Sequence, residues 1–595
     1  MEPYPHPLDG EHVSEALTFR EQYLRQFSGA IRNKTNWTEK ILDRALFAKW
    51  LREALENGGS VSYGKKINIW NREDVAFVYR ELTEGYKPYV EKLRAEGGTA
   101  VGVEPDMDGV WRSDVLVDDA VRQQLIDAVA TLENVPEDQK DWHPGSDGQV
   151  LDLVHPSMWP IVYGRSINIL DGKPIELPDN AIEDSFSDNF CWLPSEFEVD
   201  EDGKVKVASY INNLAAAGQQ ELFHPILENI FERFLPLFNH VLADLRAKKF
   251  DFRRVPSPDG YTEDGEEVEW LRAEKHKEKW EELLGEFERG EELTVDFSKH
   301  VEVFEQGDDE EDEAFEEREG IKEDWENDWW SGRRKSLTEE KYKKAPFQVR
   351  DMGELGSDIW TPPEVTDEIK LEGKTAKVIV KLANIILTPE KPTYGGGSWH
   401  VEAMMNERII STGIYYYAQE NVTQSELEFR RTIPEVDDYS LPQDSNWTTV
   451  HNMGREGNLV QEIGSILTKE NRAIAFPNIY QHQVQPFKLV DNTKPGYRKI
   501  LVFFLCDPTE ENTAPTSRIV APQQPGARKE VEELLRKGPL GKLPEEVFRL
   551  ILEQLPPPIS REEAEKYREE LMAERTGYLE GNELVQGLEY SLCEH

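Results

Sequence analysis

Apolar residues recur every three or four positions in several stretches of the chain, a pattern that predicts amphipathic helices. The longest such stretch covers residues 222–249, where Phe223, Ile226, Ile230 and Phe234 fall on one stripe. Similar periods run through four further stretches, namely residues 16–27, 37–56, 71–98 and 562–575. The pattern therefore predicts a mostly helical N-terminal region and a helical C-terminal tail.

Short apolar runs separated by Gly, Pro and Asn replace the helical period in the middle of the chain. They begin between residues 100 and 211 and become dense after residue 359, at 374–387, 407–418, 472–476 and 498–506. Their length and punctuation predict β-strands. Because no long helical stretch separates the later runs, they favour a sandwich or a barrel.

The charge of the chain is concentrated in one segment. The 595 residues include 69 basic and 116 acidic side chains, a formal net charge of −47. Residues 259–330 alone contain 30 acidic and 8 basic residues. Residues 374–508, in contrast, contain 15 acidic and 14 basic residues and are nearly neutral. Such an acidic block is typical of a solvated helix or a disordered insertion, with a docking surface for a basic partner as the alternative. The overall charge disfavours binding to nucleic acid or to an anionic membrane.

The low cysteine content and the lack of a visible secretory signal in residues 1–10 predict a reducing compartment. Three cysteines among 595 residues exclude a disulfide framework. Residues 1–10 contain no apolar run behind basic residues, and nowhere does an apolar run approach the roughly 20 residues of a membrane-spanning helix. We therefore expect a cytoplasmic protein, with a nuclear location left open.

Candidate chemistry lies in Tyr394-Gly-Gly-Gly-Ser-Trp-His400-Val-Glu402. Two residues apart on a strand, His400 and Glu402 leave the same face, and together they are two-thirds of a facial triad for Fe(II). His482 follows 82 residues later and can complete the triad. Arg498 begins the next apolar run, where a guanidinium is costly unless an anion pairs with it.

The order of these residues resembles that of the Fe(II)/2-oxoglutarate-dependent dioxygenases, particularly the prolyl-hydroxylase-like branch. The wider context resembles a large fungal family of domain-of-unknown-function proteins assigned to that superfamily. That second resemblance rests on four segments, Trp192-Leu-Pro-Ser-Glu-Phe, Ser209-Tyr-Ile-Asn-Asn-Leu, residues 394–402 and Phe476-Pro-Asn.

The resemblance implies an α+β protein with a double-stranded β-helix, or jelly roll, at its core. Together with the periodicity and charge described above, it divides the chain into a mostly helical region at 1–250 that packs on the core, an acidic helical or disordered insertion at 251–345, the jelly-roll catalytic domain at 346–515 and a helical tail at 516–595. The implied metal ligands and catalytic residues are His400, Glu402 and His482. Fe(II) and 2-oxoglutarate are the implied cofactor and cosubstrate.

The resemblance implies that Arg498 binds the distal carboxylate of 2-oxoglutarate. The 16 residues between His482 and Arg498 make a longer spacing than usual, so Lys488 is an alternative cation, while Lys499 points to the opposite face. Further candidates are aromatic or polar side chains near these motifs: Tyr415, Tyr417 and Asn384 for the cosubstrate, and Tyr394, Trp399, Asn406 and His155 for the substrate.

We therefore expect an oxygenase that hydroxylates a small molecule or an amino-acid or peptide substrate with O2, releasing succinate and CO2. Two alternatives remain open at this point. One is a cupin-type metalloenzyme that does not use 2-oxoglutarate, and the other is a non-catalytic jelly-roll interaction protein. The sequence does not choose a substrate or an oligomeric state.

Overall fold

We analysed a computed structural model of the chain. It describes residues 2–10, 12–57, 60–61, 65–66, 72–97, 102–178, 185–214, 218–255, 267–269, 277–290, 348–350, 356, 358–434, 451, 453, 456–510, 514–519, 523–555 and 557–591. Most of the acidic segment, including Trp325, Trp329 and Trp330, lies outside these residues.

Helices occupy both ends of the chain and flank one very long central helix. They are α1 (Phe19–Arg32), α2 (Trp37–Lys40), α3 (Arg44–Asn57), α4 (Arg72–Arg80), α5 (Lys87–Glu96), α6 (Asp119–Glu133), α7 (Gln219–Arg246), α8 (Lys277–Glu288), α9 (Pro525–Lys537), α10 (Glu545–Gln554), α11 (Arg561–Gly581) and α12 (Glu583–Gln586). A π-helical turn at Glu81–Tyr86 joins α4 to α5.

Strands run from the N-terminal half through to the end of the chain. They are β1 (Ser60–Val61), β2 (Lys65–Lys66), β3 (Glu104–Pro105), β4 (Trp111–Ser113), β5 (Asp141–Trp142), β6 (Val150–Val154), β7 (Ile161–Val162), β8 (Phe190–Cys191), β9 (Ser195–Val199), β10 (Val205–Val207), β11 (Glu267–Glu269), β12 (Gln348–Arg350), β13 (Thr375–Leu387), β14 (Thr393–Tyr394), β15 (Ile409–Glu420), β16 (Ser425–Thr432), β17 (Glu456–Asn458), β18 (Val460–Thr468), β19 (Ala473–Pro477), β20 (Gln481–Val484), β21 (Phe487–Lys488), β22 (Gly496–Cys506) and β23 (Glu589–Ser591).

A ten-stranded sheet of antiparallel pairs forms the centre of the molecule. Its order is β10-β9-β13-β22-β15-β19-β4-β3, and β6 also pairs with β13 and carries β5. The long strands β13, β22 and β15 predicted from their apolar runs are confirmed as its middle. Strands from residues 104–207 extend this sheet on both sides, so the N-terminal half contributes directly to the sheet that carries Arg498.

Two smaller sheets carry the remaining strands near the candidate site. One has the order β18-β16-β20, and the other pairs β14 with β21. His482 lies on β20, while His400 follows β14. The described strands thus form a mixed structure of helices and antiparallel sheets, and they do not join these sheets into a closed barrel.

Helix α7 packs against the large sheet and supplies much of the core. Its stripe of Phe, Ile and Leu is buried, as its periodicity predicts. The strand opposite it carries Gly413, where a Cβ would lie only 2.7 Å from the ring of Phe238 and 3.0 Å from that of Phe234. The missing side chain at Gly413 therefore allows the helix to approach the sheet closely.

The helix predicted over residues 37–56 is interrupted. The structure divides it into α2 and α3, with Asp43 between them. The Asp43 carboxylate accepts hydrogen bonds from the backbone N–H groups of Ala45 and Leu46, both at 3.1 Å, and so caps the start of α3. Apolar periodicity is preserved across this break, which explains why the pattern did not reveal it.

Part of the acidic segment packs on the folded body. Phe287 of α8 lies 5.1 Å from Phe47 and 4.9 Å from Tyr79, measured between ring centroids. Arg52 of α3 also forms ion pairs with Glu281 and Glu288.

The domain boundaries expected at residues 250, 345 and 515 stay predictions. Across the described helices, none combines the length and apolarity that crossing a membrane requires.

We expect Gly413→Ala to lower the melting temperature, because its methyl group would overpack the contact with α7 at a cost of about 1–3 kcal/mol. Thermal unfolding followed by circular dichroism measures this effect. Gly577→Ala is the matched control, since no atom of the described residues lies within 4 Å of a Cβ there and Ala favours the surrounding helix. Equal melting temperatures for Gly413→Ala and wild type would contradict the packing argument.

Candidate metal centre

His400 and His482 are brought together by a reciprocal backbone contact. The His400 N–H donates to the His482 carbonyl at 3.2 Å, and the His482 N–H donates to the His400 carbonyl at 3.0 Å. Their ring centroids are 4.3 Å apart. Glu402 Oε1 lies 3.7 Å from His400 Nε2 and 3.4 Å from His482 Nε2. Three potential ligand atoms therefore converge within 4.8 Å of one another.

Neighbouring residues hold this group in place. Asn478 binds the backbone of Glu402 at both ends, since its Oδ1 accepts from the Glu402 N–H and its Nδ2 donates to the Glu402 carbonyl, each at 2.9 Å. Gly396 has a φ of +94°, and a Cβ there would lie 2.8 Å from the Val484 carbonyl oxygen. The glycine run thus permits the close approach beside the site that its composition predicts.

The hydrogen bond of His400 selects a tautomer that suits metal binding. Its Nδ1 lies 2.8 Å from the Ser398 carbonyl oxygen, so in the neutral ring Nδ1 carries the proton and donates it. Nε2 then presents its lone pair towards Glu402. A backbone carbonyl on the far nitrogen is the usual way in which a metal-binding histidine is oriented.

The electrostatics of the three groups are coupled. Burial opposes ionisation of Glu402, but the hydrogen bonds and positive charge that His400 and His482 supply when protonated outweigh it and hold the pKa of Glu402 well below its ordinary value. Burial is the largest effect on His400 and acts to lower its pKa, but the hydrogen bond and charge of Glu402 together with the bond to the Ser398 carbonyl outweigh it, and the pKa of His400 is raised. Burial and the charge of His400 lower the pKa of His482. An ionised carboxylate with two imidazoles is a suitable ligand set for a divalent transition metal.

Arg498 is buried with its charge largely uncompensated. Its side chain stands 4.1 Å above the centroid of the Phe487 ring, and its Nε donates to Gln419 at 3.3 Å. Both terminal nitrogens, Nη1 and Nη2, are buried without a hydrogen-bond partner among the described residues. Burial lowers the pKa of Arg498, and the nearby Tyr416 and Tyr394 act against that shift. These two free nitrogens form a fork that can accept a carboxylate.

Two tyrosines flank the guanidinium. The ring of Tyr394 packs 5.2 Å from that of Phe487, and burial raises its pKa against the opposing charge of Arg498. Tyr416 lies opposite Ile500 in the pairing of β15 with β22, which places it on the same face as Arg498. Burial raises the pKa of Tyr416 to about 12, so its hydroxyl stays protonated and available as a donor.

Three residues predicted to bind the cosubstrate lie on the opposite face of the sheet. The Tyr415 hydroxyl donates to Asn471 at 2.7 Å, and the Tyr417 hydroxyl donates to Asn384 at 3.4 Å. Asn384 also donates to Glu133 at 2.6 Å. The structure therefore differs from the prediction because Tyr416, rather than its two neighbours, faces Arg498.

The other predicted residues occupy varied positions. Trp399 lies beneath the guanidinium of Arg430 at 4.7 Å. Asn406 is not in the metal group, since its amide is bonded to Ser187 and to the Tyr163 hydroxyl. His155 belongs to a second polar group with His143 and Asp152.

The two alternative cations have different surroundings from Arg498. Lys488 is exposed on β21, and Lys499 lies on the opposite face of β22 from Arg498 and forms an ion pair with Glu133 at 2.6 Å. The orientation of Lys499 therefore agrees with the strand alternation predicted for it.

Sequence reasoning missed three residues of this region, namely Tyr416, Gln419 and Asn478. Alternation along the strand separates Tyr416 from Tyr415 and Tyr417 but does not say which face is inward. Asn478 lies in the quoted Phe476-Pro-Asn segment, yet its role requires the fold that brings it to Glu402.

Two family models match the chain. The model described as a protein of unknown function, DUF4246, matches residues 72–531, and its N-terminal domain model matches residues 1–53. The chain belongs to the DUF4246 family. This membership confirms the resemblance to a domain-of-unknown-function family and extends it over most of the chain. The DUF4246 description carries no activity, and no curated protein matches the chain in sequence.

Comparison of this DUF4246 protein with solved structures finds distant similarities. IDO from Bacillus thuringiensis matches at 11% identity and a TM-score of 0.15, covering 23% of this chain and 50% of its own. TqaL, a Fe(II)/(alpha)ketoglutarate-dependent dioxygenase, matches at 12% identity and a TM-score of 0.15, covering 22% of this chain and 42% of its own. EvdO2 from Micromonospora carbonacea var. aurantiaca, complexed with 2-oxoglutarate, matches at 14% identity and a TM-score of 0.13, covering 24% of this chain and 57% of its own. Similarity at this level does not assign a function to the DUF4246 protein.

We expect binding of Mn²⁺ to weaken steadily as the pH falls from 8 to 6. A metal ligand must be deprotonated, and the pKa of His400 is raised above its ordinary 6.5, so competition from protons begins above that pH. Isothermal titration calorimetry at several pH values measures this dependence, with His482→Ala as the control that loses the site. An affinity independent of pH over this range would contradict the assignment of His400 as a ligand.

Proposed function

We propose that this protein is a Fe(II)- and 2-oxoglutarate-dependent oxygenase that hydroxylates a small molecule or an amino-acid or peptide substrate, releasing succinate and CO2. The observation that carries the proposal is the guanidinium of Arg498, which is buried with two nitrogens unpaired among the described residues. Such a cation is costly without an anionic partner, and a dicarboxylate would provide one.

The sheets near the site support a double-stranded β-helix as the core of this proposed enzyme. Strands β13, β22, β15 and β19 are neighbours in the large sheet, while β16, β18 and β20 form one small sheet and β14 and β21 another. A jelly roll consists of two facing sheets, so in the proposed core the small sheets would lie opposite the large one. The metal group would then belong to the small-sheet side and Arg498 to the large-sheet side.

The proposed ligands of Fe(II) are His400, Glu402 and His482. Two imidazoles and one carboxylate leave further coordination positions open, which a 2-oxoglutarate-dependent oxygenase requires. The orientation of His400 by the Ser398 carbonyl and of Glu402 by Asn478 would keep the ligand atoms in position before metal binds. When bound, Fe(II) and 2-oxoglutarate together supply the oxidative chemistry.

The proposed role of Arg498 is to hold the far carboxylate of 2-oxoglutarate by two parallel N–H···O bonds. Phe487 supports the flat face of the guanidinium, and Gln419 fixes its Nε, so Nη1 and Nη2 remain for the ligand. The hydroxyls of Tyr416 and Tyr394 are further donors beside the same charge. Phe487 belongs to a buried apolar cluster with Ile385 and Leu489, and such surroundings would strengthen the contact.

The proposed activity is tested by anaerobic titration of the full-length protein with Fe(II) and 2-oxoglutarate. We expect a weak visible charge-transfer band that forms only with both components, and slow succinate production when O2 is admitted. His482→Ala should abolish the band because it removes one of three ligands. Mn²⁺ or Fe(II) binding without any band would instead favour a metalloenzyme that does not use 2-oxoglutarate.

We expect Arg498→Gln to weaken 2-oxoglutarate binding to the metal-loaded protein by about 100-fold, since two charge-assisted hydrogen bonds are lost. Calorimetric titration of the Mn²⁺-loaded protein measures the change, and metal affinity should stay the same. Lys499→Gln on the opposite face of the same strand is the matched control. A loss of affinity in Lys499→Gln equal to that in Arg498→Gln would overturn the role of Arg498.

A further inference from the structure

A second polar group lies on the same face of the large sheet as Arg498. Asp152 of β6 pairs with Ala383 of β13, and Arg498 of β22 pairs with Ile385, so alternation places all four on one face. Lys381, two residues before Ala383, shares that face. His155 follows β6 directly, and the potential ligand atoms of His143, Asp152 and His155 lie within 4.8 Å of one another.

Asp152 at the centre of this group has one satisfied and one free oxygen. Its Oδ2 lies 2.8 Å from His143 Nδ1 and 3.8 Å from Arg568 Nη1. The side chain is 0% exposed, and its Oδ1 has no hydrogen-bond partner among the described residues. Arg568 bonds more closely to Asp141, at 2.7 Å. Asp152 can therefore still accept a hydrogen bond from a ligand through Oδ1.

The hydrogen bonding of His155 makes this group unsuitable for a metal ion. Its Nδ1 accepts the Ser157 N–H at 3.2 Å. Burial lowers the pKa of His155 to about 3, so the ring is neutral and its proton resides on Nε2. This is the reverse of His400, whose Nε2 carries a free lone pair. Arg568 and Lys381 also place positive charge beside Asp152, which opposes a bound cation.

Lys381 connects this group to the metal centre. It shares a sheet face with Asp152, and its charge acts on the pKa values of Asp152 and His155 and also on that of His400, so the ammonium lies within electrostatic range of both groups. The residue is half-buried, and it forms no hydrogen bond or ion pair with the residues that the structure describes. A half-buried ammonium without a counterion in contact favours the binding of an anion.

We propose that Lys381 and the Nε2–H of His155 bind a carboxylate of the substrate beside the metal centre. Asp152 Oδ1 would accept a hydrogen bond from a hydroxyl or amino group on the same molecule, which points to small hydroxy or amino acids as the substrate class. The description of this anion as a substrate rests on the oxygenase function proposed above, whereas the anion site itself does not.

The anion site is tested by the rate at which acetic anhydride acetylates Lys381 in the full-length protein, followed by mass spectrometry. The protein is loaded with Mn²⁺ and saturated with 2-oxoglutarate, so that Arg498 is already engaged. Added formate or inorganic phosphate is the probe, and the two separate a carboxylate site from a phosphate site. We expect formate to slow acetylation of Lys381 at least five-fold and phosphate to have a smaller effect.

Lys377, on the same strand and face, is the internal control and should react at an unchanged rate. His155→Phe should reduce the protection of Lys381, because it removes the second donor but keeps the ammonium. Equal rates for Lys381 with and without formate would overturn the proposal. Stronger protection by phosphate than by formate would overturn the choice of a carboxylate.

A second measurement separates this inference from the oxygenase proposal. Lys381→Gln should leave the Fe(II)/2-oxoglutarate band and the 2-oxoglutarate affinity unchanged, whereas Arg498→Gln should reduce both. If Lys381→Gln removes the band while Arg498→Gln does not, Lys381 binds the cosubstrate and the inference is wrong. If no band forms in any protein but formate still protects Lys381, the oxygenase proposal fails while the anion site stands.

Discussion

The reciprocal backbone pairing of His400 with His482 is the contact on which the candidate site depends. It joins the loop after β14 to β20, two segments more than 80 residues apart in sequence, and turns their side chains towards Glu402. Two hydrogen bonds alone do not fix the positions of three side chains, so they need support from the surrounding residues. Asn478 provides it by holding Glu402 through the backbone, and the glycine run provides it by letting the loop lie against Val484.

A second constraint is the charge that the large sheet holds in an apolar setting. Arg498 projects from β22 into a pocket of aromatic and aliphatic side chains, where stacking on Phe487 and one bond to Gln419 satisfy only part of its hydrogen-bonding capacity. The His400–Glu402–His482 group is held elsewhere, by β20 and the loop after β14. Buried charged groups with shifted pKa values, such as these, are typical of functional sites.

The N-terminal half shapes the site through the sheet instead of forming a separate body beside it. Strand β6 pairs with β13 and brings Asp152 and His155 to the face that carries Lys381 and Arg498. Helix α11 from the C-terminal region closes over the same area, with Arg568 bonded to Asp141 and Arg575 bonded to Glu407. Residues from three distant parts of the chain therefore contribute to this region, although the motifs lie only between residues 394 and 498.

The sequence by itself determined the pattern of helices and strands and singled out His400, Glu402, His482 and Arg498 as candidates, because these follow from local periodicity and from residue types that are costly to bury. It could not determine which face of β15 is inward, so Tyr416 was overlooked in favour of Tyr415 and Tyr417. It could not reveal the break at Asp43 or the pairing of β6 with β13. Only the tertiary structure decided these points. The buried face of a strand, its pairing partners and the residues around a buried charge all depend on contacts between segments far apart in sequence.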